Sequence, residues 1–155
     1  MLINPASLVP NLTIAGRTFT NLTNLIILTG PTENAVSSSR TTLRKPSESA
    51  GYQVTTGKTL IIYAVRLIST AGSFSPYFAY TDNDVGIAGN TAFTSPVYLA
   101  GLSPSSDPFF FATSNAAGST LELALDFKVP SQKYFSIDSN SSTVSGSVTA
   151  YGYET

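Results

Sequence analysis

The residues Gly57-Lys58-Thr59 form a stretch that could bind a phosphate group. A phosphate-binding loop consists of a glycine, four residues and then Gly-Lys-Ser/Thr, and it opens a helix whose first amides hold the phosphate. Here Gly51 precedes Gly57 by five intervening residues, and the run LIIYAVRLI that follows favours a strand. We therefore interpret the segment as a tight turn between two strands, with Gly57 at a positive φ.

The segment TDNDVG at 81–86 places Asp82, Asn83 and Asp84 together. Oxygen ligands two residues apart could begin a calcium site, but the later acidic ligands of an EF-hand do not follow. The favoured interpretation is a turn, because Asp and Asn side chains bond to their own backbone and Gly86 permits a positive φ. The sequence leaves open whether Asp82 and Asp84 bind a cation.

Glu122 and Asp126 share one face of a predicted strand, about 13 Å apart along it. That distance exceeds the separation of a pair of glycosidase carboxylates. Asp107, before Pro108, lies in a predicted loop, and nothing in the sequence requires it to meet another acid. An enzyme that acts through carboxylates alone is therefore the weakest of the functions we consider.

The chain contains no histidine and no cysteine. Histidine is the usual general base near neutral pH, and both residue types are common metal ligands. Their absence from the sequence counts against Ser-His-Asp, Cys-His and zinc chemistry. We predict a protein that is not an enzyme, with no catalytic residue, no metal and no cofactor.

Aromatic residues offer a choice between a core and a sugar-binding platform. Tyr77, Phe78 and Tyr80 alternate, and the residues at 109–111 are three consecutive phenylalanines. Exposed tyrosines would suggest stacking on a sugar, because their rings are apolar and their hydroxyls are polar. Phenylalanine is usually buried, so a core and an oligomer interface are the favoured interpretation.

The composition predicts one domain that contacts other proteins. The chain has 155 residues, of which 11% are charged, and a net charge of −1. The charged share is less than half the usual value. Without a basic patch we expect no nucleic-acid partner, and without a run of 18 apolar residues we expect no membrane partner. The first residues lack the pattern of a signal peptide.

Alternation of apolar and polar residues predicts an all-β fold. The strand at 120–128 places Leu121, Leu123, Leu125 and Phe127 on one face. The strand at 58–69 is apolar on both faces, so it lies centrally or meets a partner chain; Ile61, Tyr63, Val65 and Leu67 are expected on one face and Leu60, Ile62, Ala64 and Ile68 on the other. Further strands are expected at 24–29, 41–43, 51–55, 76–81, 95–100, 108–113, 133–138 and 145–153.

These strands predict a single antiparallel β-sandwich, jelly-roll-like, with an extended N-terminal arm. The sandwich domain is expected at 24–155 and the arm at 1–23. The arm is interrupted by prolines and apolar without a helical period, so we expect it to pack on its own sheet or on a neighbour's. Four of its residues are predicted to form an interface, as an anchoring or swapped element: Leu2, Ile3, Leu8 and Val9.

Two segments carry a resemblance to a known group of proteins. A strand, a turn ending in Gly57-Lys58 and a long apolar strand resemble the "VPAGK" hairpin, although Val54-Thr55 replaces its Val-Pro. The sequence FKVPSQKYFSIDSNSSTVSGSVTAYGYET resembles a final hairpin of the same group. The group consists of small β-sandwich virion proteins of tailed bacteriophages, which include capsid decoration (cement) proteins, head fibres and fibre tips, and the resemblance covers residues 50–155.

The resemblance implies a non-enzymatic capsid decoration protein that stabilises the phage head by protein–protein contacts. Its expected partners are further copies of itself, as a homotrimer, and the lattice of the major capsid protein. Its expected location is the capsid surface of the virion, after synthesis in the host cytoplasm. The alternative is a receptor- or carbohydrate-binding fibre-tip module, which predicts exposed Tyr and Asn or Asp side chains in a groove at one end of the sandwich.

Overall fold

The structure is a computed structural model and describes residues 11–30, 40–71, 76–86, 92–99, 118, 120–139 and 145–155, none of which is helical. The strands are β1 (Leu12–Ile14), β2 (Arg17–Phe19), β3 (Ile26–Thr29), β4 (Arg40–Thr42), β5 (Leu60–Ala71), β6 (Pro76–Thr81), β7 (Val97–Tyr98), β8 (Thr120–Val129), β9 (Tyr134–Ser139) and β10 (Ser145–Glu154).

Strands β3 to β10 form two four-stranded antiparallel sheets, in the orders β3-β10-β5-β8 and β4-β9-β6-β7. The pairing is nested as in one long hairpin, because β3 pairs with β10, β4 with β9, β5 with β8 and β6 with β7. Rolling up such a hairpin brings β10 beside β5 and β9 beside β6. This arrangement is the eight-stranded jelly roll, so the predicted fold class, an antiparallel β-sandwich of that type, is confirmed.

The core lies between the two sheets and draws on both. Its largest fully buried side chains include Phe135 of β9 and Leu28 of β3. Each such side chain contributes about 1.5–3 kcal/mol through removal from water. The alternation predicted for β8 is confirmed, since its apolar residues belong to the core or pack against it: Leu121, Leu123, Leu125 and Phe127.

The central position predicted for β5 is confirmed, but strict alternation along it is wrong. Tyr63 and Ala64, which are consecutive, both belong to a second cluster on the outside of the sheet. Gly152 pairs with Ile62 and Tyr151 pairs with Ala64, so Tyr63 is an extra residue relative to β10. A β-bulge of this kind shifts the phase of the strand. The core therefore receives two residues before the bulge and two after it: Leu60, Ile62, Val65 and Leu67.

Strands β1 and β2 form a hairpin that packs on the outside of the β3-β10-β5-β8 sheet. Ala15 and Gly16 make the two-residue turn, and their φ angles of 53° and 76° are both positive, as a type I′ turn requires. Ile14 and Phe19 are buried in the outer cluster with Ala64. Residues 11–23 of the predicted arm thus contain a hairpin that packs on the chain's own sheet.

The turn at Thr55–Lys58 is confirmed. The amide of its last residue donates to the carbonyl of its first over 2.9 Å, and Gly57 has a φ of 78°. The turn does not close a hairpin, however, because Val54 bonds to residues 132 and 133, just before β9, whereas Thr59 bonds to Thr155, just after β10. The turn therefore passes from one sheet to the other, and the strand expected at 51–55 is only an isolated bridge.

The other expected strands are present within a few residues of their predicted bounds: β3, β4, β6, β7, β9 and β10. The strand expected at 108–113 lies outside the described residues.

Candidate binding groove

Glu122 and Asp126, the two acidic residues on β8, each form hydrogen bonds with the β1–β2 hairpin. Glu122 accepts a hydrogen bond from the amide of Ala15 over 2.9 Å and pairs with Arg66 at 2.8 Å. These contacts lower the pKa of Glu122, the amide contributing most. Asp126 accepts two hydrogen bonds from Arg17, at 3.0 and 3.1 Å, and its pKa is lowered as well. A general acid needs a raised pKa, and the pKa values of both carboxylates are lowered instead. Their contacts with the hairpin indicate that they anchor it to the sheet.

The segment 81–86 has the geometry of the predicted turn. Asp84 accepts hydrogen bonds from the amides of Gly51 and Gly86 over 2.7 and 2.8 Å. Asp82 pairs with Lys133, which lowers the pKa of that carboxyl. In the part of the chain that the structure describes, no group of three acidic, histidine or cysteine residues could hold a metal ion.

A groove of about 450 Å³ opens where β2 crosses the outside of the first sheet. We call it the outer-face groove, and five residues line it: Arg17, Thr18, Phe19, Tyr63 and Tyr153. Tyr63 faces the groove because it follows the core-facing Ile62, and the bulge keeps Ala64 on the same outer face. The rings of Tyr63 and Tyr153 lie 6.0 Å apart at an interplanar angle of 62°, so they form an angled aromatic platform.

Phe19 forms the floor of this platform. Its ring lies 6.0 Å from those of Tyr151 and Tyr153, and its side chain is almost completely buried. Aromatic pairs of this kind add about 0.5–1.5 kcal/mol each beyond the area that they bury. The platform is therefore fixed by the packing of the hairpin before any ligand arrives.

Arg17 brings charge to the groove, and Asp126 cancels it. The guanidinium lies 5.8 Å from the centre of the Tyr63 ring while it holds both oxygens of Asp126. The pair is solvent-accessible, with 35% of the Arg17 side chain and 69% of the Asp126 side chain exposed. The outer-face groove thus combines aromatic rings with a neutral pair of hydrogen-bond donors and acceptors.

A second groove, of about 440 Å³, lies along the edge strand β3 and is lined by residues 23–27 with Lys45, Pro46 and Glu48. Thr29 exchanges two backbone hydrogen bonds with Arg44, at 2.7 and 3.0 Å, on the side away from β10. Alternate residues of an antiparallel strand direct their amide and carbonyl to the same side, so Ile27 also points away from β10. No described residue bonds to the backbone of Ile27 on that side.

Two aromatic residues singled out in the sequence belong to the core and line neither groove. Phe78 is buried in the core and stacks on Phe135 at 5.8 Å, and Tyr80 packs against the same core, as the core interpretation expects. The predicted interface residues, the acid in the loop and the phenylalanine run lie outside the described residues: Leu2, Ile3, Leu8, Val9, Asp107 and 109–111.

The residues of the outer-face groove were missed by sequence reasoning. Tyr63 was assigned to an apolar strand face and Arg17 to an extended arm. The pattern Tyr151-Gly152-Tyr153 is the signal that could have directed attention to the groove. It places two aromatic rings on either side of a glycine, and the missing side chain of Gly152 lets the backbone of β5 approach β10 closely.

Within the described ranges, no helix is long and apolar enough to cross a membrane.

Comparisons with protein-family models, with curated proteins and with solved structures find no match for the chain.

Proposed function

We propose that the chain is a non-enzymatic capsid decoration protein, which forms a homotrimer and binds the lattice of the major capsid protein on the virion surface. The observation that carries the proposal is the edge of β3 beside its groove, where no residue that the structure describes bonds to the outward backbone of Ile27. The jelly roll supports it by analogy of fold alone, since viral capsid domains and lectins share this architecture. The resemblance of residues 50–155 to phage virion proteins is one of sequence alone, because the Gly57 turn closes no hairpin and β9 and β10 lie in different sheets.

The β3 edge offers the means of attachment. An extended segment of a neighbouring chain would pair with the amide and carbonyl of Ile27, as in strand addition to a sheet edge. Each hydrogen bond would contribute about 0.5–1.5 kcal/mol net. Leu25 and Ile26 supply apolar contacts in the groove, and Lys45 and Glu48 supply one charge of each sign at its rim.

The low charge of the chain suits dense attachment. With eight basic and nine acidic residues, neighbouring copies on a lattice would repel each other little. A protein that binds only the assembled shell stabilises it by RT ln(1 + [L]/Kd), which is about 2.7 kcal/mol per site at a concentration of 100 Kd. Many such sites would resist the internal pressure of a filled head.

The test combines light scattering, which gives the mass in solution, with co-sedimentation on tailed-phage capsid shells that lack their decoration protein. Both Ile27→Pro and Ile27→Ala remove the isoleucine side chain. Only the proline variant also removes the outward backbone amide, so the alanine variant is its control. We expect wild type and Ile27→Ala to be trimeric and to sediment with shells, and Ile27→Pro to fail in one or both. A wild-type monomer that binds no shell would refute the proposal.

The N-terminal residues Leu2, Ile3, Leu8 and Val9 belong to the same proposal as an anchoring or swapped element. Deletion of residues 1–10 tests their role cleanly, because the β1–β2 hairpin begins at Leu12 and stays intact. We expect the deletion to weaken trimer formation or shell binding. If both are unchanged, the N-terminal residues have no part in assembly.

A further inference from the structure

We propose that the outer-face groove binds a neutral sugar unit of a glycan. The site lies on the outside of the β3-β10-β5-β8 sheet, formed by β2, β5 and β10, whereas the β3 edge lies at the margin of that sheet. Sugar binding is therefore separate from the assembly function and does not depend on it.

The aromatic platform provides the apolar half of the site. The volume of about 450 Å³ falls in the range of small-molecule sites, which are mostly apolar with a few placed polar groups. Tyr63 and Tyr153 are both half-buried and present an angled surface with a hydroxyl on each ring. A sugar ring has apolar C–H faces and polar edges, which match rings of this amphipathic kind.

The Arg17–Asp126 pair provides the polar half. A guanidinium has five N–H donors and no acceptor, and Arg17 uses two of them on Asp126. Its other donors and the exposed carboxylate of Asp126 can each serve a hydroxyl group, which both donates and accepts. Thr18, whose hydroxyl lies 3.1 Å from that of Thr13, adds another hydroxyl at the rim. Vicinal hydroxyls of a sugar therefore match the pair.

The charge of the groove selects a neutral ligand. An anionic group at Arg17 would stand beside Asp126, and a cation at Asp126 would stand beside Arg17, so either ligand would meet a like charge. Proline-rich peptides also dock on tyrosine-lined grooves. They lack the hydroxyls that would use both members of the ion pair, so the observations favour the sugar.

The site is formed before the ligand binds, which keeps the entropic cost of binding low. The bulge in β5 and the packing of Phe19 hold the two tyrosines. Asp126 and the Tyr63 ring hold Arg17.

The experiment is a glycan array with the purified full chain, followed by calorimetry on the neutral glycans that bind. Tyr63→Ala removes half of the platform and is expected to weaken binding at least tenfold. Asp126→Asn leaves Arg17 without its carboxylate, so neutral glycans should bind more weakly and acidic glycans more strongly. Lys128→Gln is the control, because Lys128 is an exposed charge on the same strand and does not line the groove. Each variant is first checked for an unchanged oligomeric state.

Three results would overturn the proposal. The first is a wild-type protein that binds no neutral glycan. The second is glycan binding that survives both Tyr63→Ala and Asp126→Asn, since the sugar would then lie elsewhere. The third is binding of a proline-rich peptide in place of any glycan. Shell binding by the same variants, which we expect to be unchanged, separates failure of this site from failure of the assembly function.

Discussion

Gly152 lies where β10 passes the bulge in β5, and we expect its replacement by alanine to destabilise the protein. In the interior of a strand, alanine is ordinarily more favourable than glycine by about 0.5–1 kcal/mol. Here a Cβ on Gly152 would overlap the carbonyl oxygen of Ile61 and would lie 3.2 Å from a methyl group of Leu60. A backbone carbonyl in a paired strand cannot rotate away, so β10 and β5 would have to separate.

Forced separation of packed elements costs about 1–3 kcal/mol. Subtracting the 0.5–1 kcal/mol that alanine ordinarily gains leaves a net cost of up to about 2.5 kcal/mol. For a chain of this size 1 kcal/mol corresponds to roughly 2–4 °C in Tm, so Gly152→Ala should lower Tm by up to about 10 °C. Tyr153 follows Gly152 directly, and the same displacement would move its ring relative to Tyr63. Sugar binding in the outer-face groove should therefore weaken in the folded variant.

The assay is thermal unfolding followed by circular dichroism, with Ser147→Ala as the control. Ser147 lies in the same strand and is half-buried, and its truncation should change the free energy of unfolding by less than about 0.5 kcal/mol. A Tm for Gly152→Ala equal to or above that of wild type would refute the reasoning, because it would mean that β5 does not approach β10 closely at the bulge.

Three further predictions concern polar contacts. Ser136 is fully buried with its hydroxyl 3.3 Å from those of Thr42 and Thr81, so Ser136→Ala should cost about 1 kcal/mol in urea denaturation, and an unchanged midpoint would contradict this. The lowered pKa of Glu122 means that its ionised form stabilises the fold above the ordinary pKa of 4.5 and that this stability is lost as the pH falls through and below that value. The stability difference between wild type and Glu122→Gln should therefore shrink on acidification, and a constant difference would refute the anchoring role. Asp84→Ala should cost about 0.5–1.5 kcal/mol, because two amides lose their acceptor at an exposed turn where water can replace it. Calcium should leave the wild-type Tm unchanged; a calcium-dependent rise in wild type alone would favour a cation site.

The strands of the sandwich could be predicted because their side chains alternate. The segment that became β8 has an apolar residue at every second position, and burial on one face follows directly. The bulge at Tyr63 could not be predicted. Because β5 is apolar on both faces, a change in which residues face the core does not alter the pattern of apolar and polar residues. The faces of β5 were therefore wrong although its position was right.

The hairpin of β1 and β2 escaped the sequence for a different reason. Each strand has only three residues, which is too short for a period to be recognised. Its turn is Ala15-Gly16, and alanine at a positive φ is uncommon, so the usual Asn-Gly or Asp-Gly signal is missing. The outer-face groove depends on that hairpin, since Arg17 meets Asp126 across 109 positions of sequence. Contacts between residues so far apart in sequence can be predicted only when the order and pairing of the strands are known.

The place of β10 in its sheet governs how the chain can fold during synthesis. Thr29 and its partner Thr149 are 120 positions apart, and β10 is the strand that joins β3 to β5. Loop closure of that length must precede any gain from pairing, which slows folding. The ribosome thus synthesises the residues up to 144 while the edges of β3 and β5 that face β10 are still unpaired. Nascent chains of this protein are therefore expected to need shielding by a chaperone until residues 145–154 emerge.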